Sequence, residues 1–383
     1  MRIGINTLFL VPGDVGGTEI YLRRTLIALA DLLEKRDTLV LFTNQENDAL
    51  LRDDLAGCRQ AEFHKVPCRA AIRPLRILAE QFLLPFAARK AAVDVLWSPG
   101  YTSPAFCFSP QAVTVCDLQY KSYPEDMILL ERTTLDILVR TACRRCQAVL
   151  TISEFSRQEV IRYGFADAEK VHAVLLGVTD EFADKAVSED ETDQVLRGLG
   201  VCSSFLLCVA HTYPHKNVDK LIAAFALLEQ RLPHQLVLVG KARRGEPSVQ
   251  ESLRQLKEPG RVVRLLGLSD RELHALYRKA ALFVLPSTYE GFGLPVLEAL
   301  MAGLPVVTVK AASLPEVGGE HAVYTGQAEP SLLADKIMEV LQMAEEEREE
   351  RAKRGREWAA TFTWERTAAQ TLGILRFIAD SRK

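Results

Sequence analysis

LFVLPSTYEGFGLPVLEALMAGLPVV, residues 282–307, is the most informative segment of this chain about its fold. It opens with an unbroken apolar run, which is typical of a strand buried on both faces of a parallel sheet. A glycine-rich loop follows, and Leu294-Pro295 begins a helix, because the first helical turn does not need the N–H that proline lacks. A second apolar run closes the stretch. The segment therefore predicts a strand, a loop, a helix and another strand, the repeating unit of an α/β fold.

The same alternation of apolar runs and helical patterns extends outward along the whole chain. The runs predicted as strands are RIGINTL, TLVLFT, VDVLWS, AVTVCD, AVLTIS, FLLCVAH, QLVLVG, VVRLLG, LFVLPS and PVVTVK. Helical patterns such as TEIYLRRTLIALADLLEK lie between them, with apolar positions three and four residues apart. The acidic stretch 180–200 is rich in small polar residues, as a linker is. We therefore predict two doubly wound α/β domains, residues 1–180 and 181–365, before a final helix.

Composition narrows the class of protein. The 383 residues are 48% hydrophobic and 25% charged, with a formal net charge of -3, which argues against nucleic acid as a partner. No run reaches the roughly 18 apolar residues that span a bilayer, and the N-terminus reads as a strand instead of a secretory signal. Dispersed cysteines are typical of a reducing compartment. Cys143 and Cys146 form a CxxC that we assign to a helix and core, with metal or redox chemistry as the alternative. We expect a protein that is cytoplasmic or attached to a membrane only from its surface.

The loop and helix of the opening segment contain the main candidate site. The loop consists of Gly291, Phe292 and Gly293, and its glycines let the backbone approach a ligand closely. The helix begins at Leu294, where free backbone N–H groups can bind an anion. Glu290 lies on the loop at the carboxyl end of the predicted strand, and Glu298 lies about one turn into the predicted helix. Both carboxylates can accept hydrogen bonds from sugar or ribose hydroxyls. Ligands of such folds bind beyond the carboxyl ends of the strands. The alternative is an ordinary turn with two exposed glutamates.

This segment resembles the Glu-x7-Glu motif of family four of the retaining glycosyltransferases. Further pieces, in the same order and spacing, are GGTEIYLRRTL, DVLWSPGY, VCDLQYKSYPE, TISEFSRQEVIRYG, PHKN and FTWERTA. The resemblance implies the GT-B architecture: two Rossmann-like domains, the first for the acceptor and the second for the nucleotide sugar, with the active site in the cleft between them. It also implies that the helix 366–383 packs back on the first domain. Glu290 then lies against the transferred sugar and Glu298 holds the ribose.

A second candidate constellation is VAHTYPHKN, a loop after a predicted strand. Lys216 matches a lysine of the family that holds the diphosphate, where positive charge stabilises the leaving group. Family members often have an arginine where this chain has His211 or His215. A bound diphosphate should raise the pKa of both histidines and recover part of that charge. The alternative is a solvated loop before a helix.

Two further motifs lie in the first half of the chain. Gly16 and Gly17 follow the first strand, and by the resemblance they approach the donor phosphates or the acceptor; a tight turn is the alternative. The glycine spacing does not fit a dinucleotide-binding motif. Asp117 is a candidate catalytic residue beside Cys116, which stands where relatives have histidine. A structural role for a buried Asp117 stays open.

The stretch 69–90, RAAIRPLRILAEQFLLPFAARK, is basic and amphipathic. Leu75, Leu78, Phe82 and Phe86 fall on one face, and a kink is expected at Pro85. Such a stretch can lie in a lipid interface, although apolar positions at this spacing more often face the core. Its basic residues are Arg69, Arg73, Arg76, Arg89 and Lys90.

These observations predict an enzyme that transfers a hexose with retention of configuration from a nucleotide diphosphate-sugar to a glycan or lipid-linked acceptor. The nucleotide sugar is a substrate, so no cofactor is expected, and no Asp-x-Asp or histidine cluster offers metal ligands. The combination of YEGFGLP and PHKN is similar to that of bacterial mannosyltransferases of O-antigen and exopolysaccharide assembly, which favours GDP-mannose. The alternatives are an epimerase or phosphorylase on the same fold, and a catalytically silent subunit that binds sugar nucleotides.

Overall fold

The computed structural model describes residues 1–14, 16–182, 189–202 and 204–381. They form two compact units. The N-terminal unit comprises Met1–Gly177 with Thr363–Lys383, and the C-terminal unit comprises Val178–Phe362. Each unit is a parallel sheet with helices packed on it, so each has its own core.

The N-terminal unit is built on a sheet of seven strands in the order β3-β2-β1-β4-β5-β6-β7. Every neighbouring pair is parallel, with Ile3 of β1 opposite Leu39 on one side and Val95 on the other. Because the central strands are covered on both faces, their residues are buried without alternation. The strands are β1 (Arg2–Asn6), β2 (Thr38–Thr43), β3 (Ala61–Lys65), β4 (Val95–Ser98), β5 (Gln111–Val115), β6 (Ala148–Thr151) and β7 (Val171–Ala173).

Helices connect these strands and cover the sheet. A π-helical turn, Ala79–Leu83, separates α3 from α4, directly before Pro85. Proline cannot donate the backbone hydrogen bond that a continuous α-helix would need there, so the predicted kink is a change of helix type. The helices are α1 (Gly17–Asp31), α2 (Asp48–Asp54), α3 (Arg73–Leu78), α4 (Leu84–Lys90), α5 (Gln119–Ser122), α6 (Leu129–Arg145) and α7 (Glu154–Arg162).

The C-terminal unit has a sheet of six parallel strands in the order β10-β9-β8-β11-β12-β13. Its core is continuous from these strands to the flanking helices, with Leu206, Phe225 and Ile337 fully buried. The strands are β8 (Phe205–Val209), β9 (Gln235–Val239), β10 (Val262–Leu265), β11 (Leu282–Leu285), β12 (Val306–Val309) and β13 (Val323–Thr325). The helices are α8 (Glu189–Gly198), α9 (Val218–Leu228), α10 (Glu246–Arg254), α11 (Asp270–Lys279), α12 (Leu294–Ala302), α13 (Leu314–Gly318), α14 (Pro330–Leu341) and α15 (Glu345–Ala359).

The last helix, α16 (Trp364–Asp380), returns to the N-terminal unit and packs on α1. The Thr363 hydroxyl accepts a hydrogen bond from the Arg366 N–H and caps the helix start. The Thr367 hydroxyl donates to the Leu175 carbonyl at 2.6 Å, and Arg376 pairs with Asp37 at 2.8 Å. The predicted fold class, two Rossmann-like α/β domains with a closing helix that crosses back, is confirmed.

Three strands of the described residues, β3, β7 and β13, were not predicted. All three lie at sheet edges and read AEFHK, VHA and VYT, too short or too polar to stand out as apolar runs. The predicted linker at 180–200 lies partly outside the described residues, at 183–188. Its second half is helix α8, which is joined to α11 by ion pairs from Lys279 to Glu189 and Asp193. No described helix is long and apolar enough to cross a membrane.

Candidate active site

The loops after β8 and β11 meet at the point where the strand order of the C-terminal sheet reverses. The chain passes from β8 outward to β9 and β10, and returns to β11 on the other side of β8. Parallel sheets bind ligands at such a point, beyond the carboxyl ends of the strands. The two loops are joined by the Thr288 N–H, which donates to the His215 carbonyl at 2.9 Å.

Lys216 and Glu290 form an ion pair across these two loops. The Lys216 Nζ lies 2.6 Å from the Glu290 Oε2, and the two side chains keep 19% and 12% of their surface exposed. The Ser313 hydroxyl donates a hydrogen bond to the Glu290 backbone carbonyl at 2.8 Å, which stabilises the loop that contains Glu290. An ammonium has three N–H donors and a carboxylate two acceptor oxygens, so the pair retains bonding capacity on both partners.

The Asn217 side chain also joins these two loops through hydrogen bonds. From the sequence, Asn217 is expected only to begin the following helix. Its backbone is left-handed, with φ 51°, which asparagine tolerates better than most residues. The Asn217 Nδ2 donates to the carbonyls of His215 and Pro286, each at 3.0 Å. The adjacent Lys216 is thereby placed against the β11 loop.

Helix α12 begins on the glycine loop without a capping side chain. Gly293 has φ 106°, a left-handed conformation that favours glycine, and a Cβ there would lie 3.0 Å from the Leu314 side chain. Phe292 and Leu294 are buried, and the Phe292 ring packs on Phe362. A ligand at this helix start would therefore meet the backbone of residues 291–294, not their side chains.

Glu298 lies inside α12 and is buried at 9% exposure. The Tyr277 hydroxyl donates to the Glu298 Oε2 at 2.8 Å, and the Tyr277 ring is stacked on Phe283. Burial raises the pKa of Glu298 to about 7. The sequence did not identify Tyr277, because its contact with Glu298 joins two helices.

Both candidate histidines are electrically neutral at pH 7 in this structure. Burial and the charge of Lys216 lower the pKa of His215 to about 3. Burial, Arg243, Lys216 and Lys241 lower the pKa of His211, whose Nδ1 accepts a hydrogen bond from the Lys241 N–H at 3.0 Å. The sequence predicted charge recovery when a diphosphate binds; without that ligand, low solvation and neighbouring cations decide the protonation state.

The backbone conformation requires glycine at only one of the two glycine positions that follow β1. Gly16 has φ +57° and precedes α1 without a capping side chain, so its backbone requires glycine. Gly17 has no such requirement, and a Cβ on either residue would meet open space. The tight-turn explanation thus accounts for Gly16 alone.

Asp117 follows β5 and is half-buried. Its Oδ1 accepts from the Gln119 N–H and its Oδ2 from the Tyr101 hydroxyl, both at 3.0 Å. Tyr101 has φ 69°, a conformation that costs non-glycine residues free energy and is often found at functional sites. Burial raises the pKa of Cys116 to about 12, so its thiol cannot replace a histidine as a base at neutral pH.

The four apolar residues predicted to share one face of the stretch 69–90 do not face the core. Leu75, Leu78, Phe82 and Phe86 expose 48%, 53%, 64% and 62% of their surface. The core-facing interpretation of these four residues is therefore wrong. The Phe86 ring packs edge-on against Phe108, which in turn packs against Phe106. Phe106 is 62% exposed.

The CxxC cysteines are buried, in line with their assignment to helix and core. Burial raises the pKa of Cys143 and Cys146 to about 12, which disfavours the thiolate that redox and metal chemistry use. Among the described residues, no three His, Cys, Asp or Glu side chains are grouped as metal ligands.

Two family models match the chain. The model Glycosyltransferase Family 4 matches residues 15–182, and the model Glycosyl transferases group 1 matches residues 201–358. The chain belongs to the glycosyltransferases. The motif identified at Glu290 to Glu298 lies within the second match, and Asp117, Gly16 and Gly17 lie within the first.

Two relatives of this glycosyltransferase are named mannosyltransferases. It is 34% identical over 237 residues to the O-antigen chain mannosyltransferase B of Escherichia coli, an alignment that covers 60% of each chain. It is 31% identical over 248 residues to the serotype-specific mannosyltransferase WbdA of Escherichia coli, covering 62% of this chain and 30% of WbdA. These alignments therefore leave a large part of each relative unmatched.

Solved structures share the fold over nearly the whole chain. Anabaena HepE in complex with UDP and glucose superposes with a TM-score of 0.74 at 22% identity, covering 98% of this chain and 99% of HepE. WaaG, a glycosyltransferase involved in lipopolysaccharide biosynthesis, gives 0.71 at 15% identity, covering 97% and 99%. At these identities the likeness concerns the fold alone.

Proposed function

We propose that this glycosyltransferase moves a hexosyl group from a nucleotide diphosphate-sugar to a hydroxyl of a glycan or lipid-linked acceptor. The observation that carries the proposal is the Lys216–Glu290 pair, 2.6 Å apart, beside the uncapped start of α12. A cation and a helix N-terminus suit a diphosphate, and a carboxylate beside them suits sugar hydroxyls.

Each candidate residue has a role in this proposal. Glu290 orients the transferred sugar, and Lys216 and the amides of residues 291–294 hold the diphosphate. Glu298, steadied by Tyr277, accepts from the ribose hydroxyls. His211 and His215 line the diphosphate site and are neutral before the ligand binds. In the N-terminal unit, Gly16, Gly17 and Asp117 serve the acceptor side.

The proposed reaction retains the anomeric configuration by a front-face path. The bond between the anomeric carbon and the diphosphate oxygen breaks, and the acceptor hydroxyl oxygen bonds to that carbon from the same face. The hydroxyl proton passes to the released diphosphate. Lys216 and the α12 amides stabilise the negative charge that develops on the leaving group. No carboxylate acts as a nucleophile in this path.

GDP-mannose is the proposed donor, because the relatives with the highest identity given above are named mannosyltransferases. The test is thermal unfolding with GDP-mannose and with UDP-, dTDP- and ADP-sugars, followed by turnover with a mannose-terminated acceptor. GDP-mannose should raise Tm most, since a ligand that binds only the folded state stabilises it. A larger shift with another sugar nucleotide would contradict the donor assignment.

The products separate this reaction from the alternatives. A retaining transferase gives an α-linked product from an α-linked donor, as the anomeric proton signals would report. An epimerase would change the donor without acceptor, a phosphorylase would need inorganic phosphate, and a silent binding subunit would leave the donor intact under all conditions.

We also propose that the reaction needs no divalent metal, because Lys216 and the α12 amides supply the positive charge beside the diphosphate. Turnover should be unchanged by excess EDTA. Loss of activity that magnesium or manganese restores would contradict this.

The proposed lipid-linked acceptor has a matching surface on the N-terminal unit. The exposed apolar residues of α3, the π-helical turn and α4 are flanked by the exposed cations Arg69, Arg73, Arg89 and Lys90. Exposed Ile128, Leu129 and Leu130 begin α6, which is joined to α3 by the Arg73–Glu131 ion pair at 3.1 Å. An apolar surface with a cationic border suits an anionic lipid interface, and we propose this as a peripheral membrane contact.

A further inference from the structure

The loop Gly240–Gly245, which follows β9, lies directly on the β8 loop that contains Lys216. The Arg243 N–H donates to the Thr212 hydroxyl at 2.7 Å, and the Gly245 N–H to the Thr212 carbonyl at 2.7 Å. A Cβ on Gly240 would lie 2.2 Å from the Ala210 carbonyl oxygen, and one on Gly245 2.7 Å from that of Thr212. Both glycines are therefore required for the two loops to pack this closely.

This packing brings Arg243 beside the histidines of the candidate site. Its guanidinium lies over the Tyr213 ring, 5.8 Å from the centroid, and the Tyr213 ring is stacked on His215. The charges of Arg243 and Lys216 both act on His211, which lies between the two loops. Arg243 is thus on the same side of β8 as the lysine.

The guanidinium has no anionic partner. Among the described residues, no carboxylate pairs with Arg243, and its Nε is buried without a hydrogen-bond partner. The carboxylate of the nearby Glu246 accepts hydrogen bonds from both terminal nitrogens of Arg264 and from the Thr212 hydroxyl. An unpaired buried donor of a charged group is costly unless a ligand satisfies it.

The charge balance of the candidate site points the same way. Lys216 is paired with Glu290, and the imidazoles at 211 and 215 are neutral. The Lys216 charge is thus partly balanced by Glu290, and together with the α12 amides it offsets only part of the charge of a diphosphate, which carries at least two negative charges. Arginine binds phosphate with a planar fork of N–H donors and stays charged at every relevant pH.

We propose that Arg243, on the loop after β9, binds the diphosphate of the sugar nucleotide together with Lys216. This inference rests on the proposed function and adds to it a phosphate ligand from a neighbouring strand.

The experiment is calorimetric binding of GDP and guanosine, with UDP and uridine in parallel, to the full chain and to three variants. Arg243→Gln should lose on the order of tenfold to a hundredfold in affinity for the diphosphate, the loss expected for a hydrogen bond to a charged group. Affinity for the nucleoside should be unchanged, because it has no phosphate. Arg243→Lys should recover part of the loss.

Arg244→Gln is the matched control, since it removes the same charge from an exposed neighbour in the same loop. It should change diphosphate affinity less than about threefold, the effect of a screened surface charge. Thermal unfolding and nucleoside binding show whether each variant is folded.

The outcomes separate this inference from the function on which it rests. If the wild-type chain binds a diphosphate and Arg243→Gln binds it equally well, the role of Arg243 is wrong and the proposed function stands. Equal losses of diphosphate affinity in Arg243→Gln and Arg244→Gln also overturn the inference. The loss would then come from the net positive charge of the loop and not from a direct contact with Arg243. A wild-type chain that binds neither diphosphate contradicts the proposed function itself.

Discussion

The two glutamates of the EGFGLP segment lie in different environments, and the difference defines separate roles. Glu290 is on a loop, paired with Lys216 and partly exposed, whereas Glu298 is buried in α12 against Tyr277. A loop carboxylate at the strand end can follow the reacting sugar. A carboxylate inside a helix is suited to a fixed part of the ligand.

Replacing each glutamate by glutamine should therefore have distinct effects. Glu290→Gln should reduce turnover strongly while nucleoside diphosphate still binds. Glu298→Gln should weaken nucleoside diphosphate binding by about 1–3 kcal/mol, the loss for a hydrogen bond to a charged group. Calorimetry and turnover, measured separately for each variant, check this. If the two effects are exchanged, the roles of Glu290 and Glu298 are reversed.

The raised pKa of Glu298 predicts a pH-dependent affinity. With a pKa of about 7 in the free protein, Glu298 is protonated below pH 7 and ionised above it. Ribose hydroxyls donate to the ionised form, so binding lowers this pKa and releases a proton at acidic pH. Affinity for nucleoside diphosphate should rise between about pH 6 and pH 8 and then level off.

The control for this prediction is Glu298→Gln, which cannot titrate at this position. Subtracting its pH profile removes the titration of the phosphate itself. His215, with a pKa of about 3, does not titrate in this window. Identical pH profiles for the wild type and Glu298→Gln would exclude the Glu298 contribution.

At the scale of elements, the stretch 69–90 is a surface whose pattern alone was ambiguous. Amphipathic spacing is the same for a helix that faces a core and for one that faces lipid. The structure leaves Phe82 and Phe86 more than half exposed, on an element interrupted by a π-helical turn. Its cations then distinguish an anionic interface from a purely apolar one.

Flotation with vesicles that contain phosphatidylglycerol tests this surface. The protein should bind at low salt and dissociate at high salt, since exposed charges are screened. Replacing Phe82 and Phe86 together by serine should reduce binding at least about tenfold, because burying one phenylalanine contributes about 1.5–3 kcal/mol. Phe377→Ser, which changes an equally exposed ring on α16, is the control. Salt-independent binding, or equal losses in both variants, would contradict the proposed contact.

At the scale of the molecule, the chain does not divide at a single point. The last residues, from Thr363, belong to the N-terminal unit, so the stability of that unit depends on the far end of the sequence. Leu375 of α16 is completely buried, whereas Phe377, two residues further, is 74% exposed.

Leu375→Ala should therefore lower the free energy of unfolding by about 2–5 kcal/mol, the usual loss for a buried leucine. Phe377→Ala should change it by less than about 0.5 kcal/mol. Urea unfolding measures both. Nucleoside diphosphate affinity should be unchanged in the folded Leu375→Ala variant, since the proposed donor residues are all in the C-terminal unit. Equal stability of the two variants would contradict the packing of α16.

Local sequence pattern was enough to predict the α/β class, the central strands and the position of the main motif. These features depend on local pattern: apolar runs buried on both faces, glycines where the backbone is left-handed, and proline at a helix start. The sequence therefore predicts Glu290 on a loop and Glu298 in a helix. The edge strands β3, β7 and β13 were not found, because one exposed side leaves them without a continuous apolar run.

The contacts between the site residues and their charge states could not be predicted from the sequence, because both depend on the packing of distant segments. The Lys216–Glu290 pair joins residues 74 positions apart, and Asn217, Tyr277 and Arg243 reach the site through contacts between elements. Neither the neutrality of the histidines nor the raised pKa of Glu298 is visible in the sequence. Both follow from burial and neighbouring charges, which exist only when distant segments pack and exclude water.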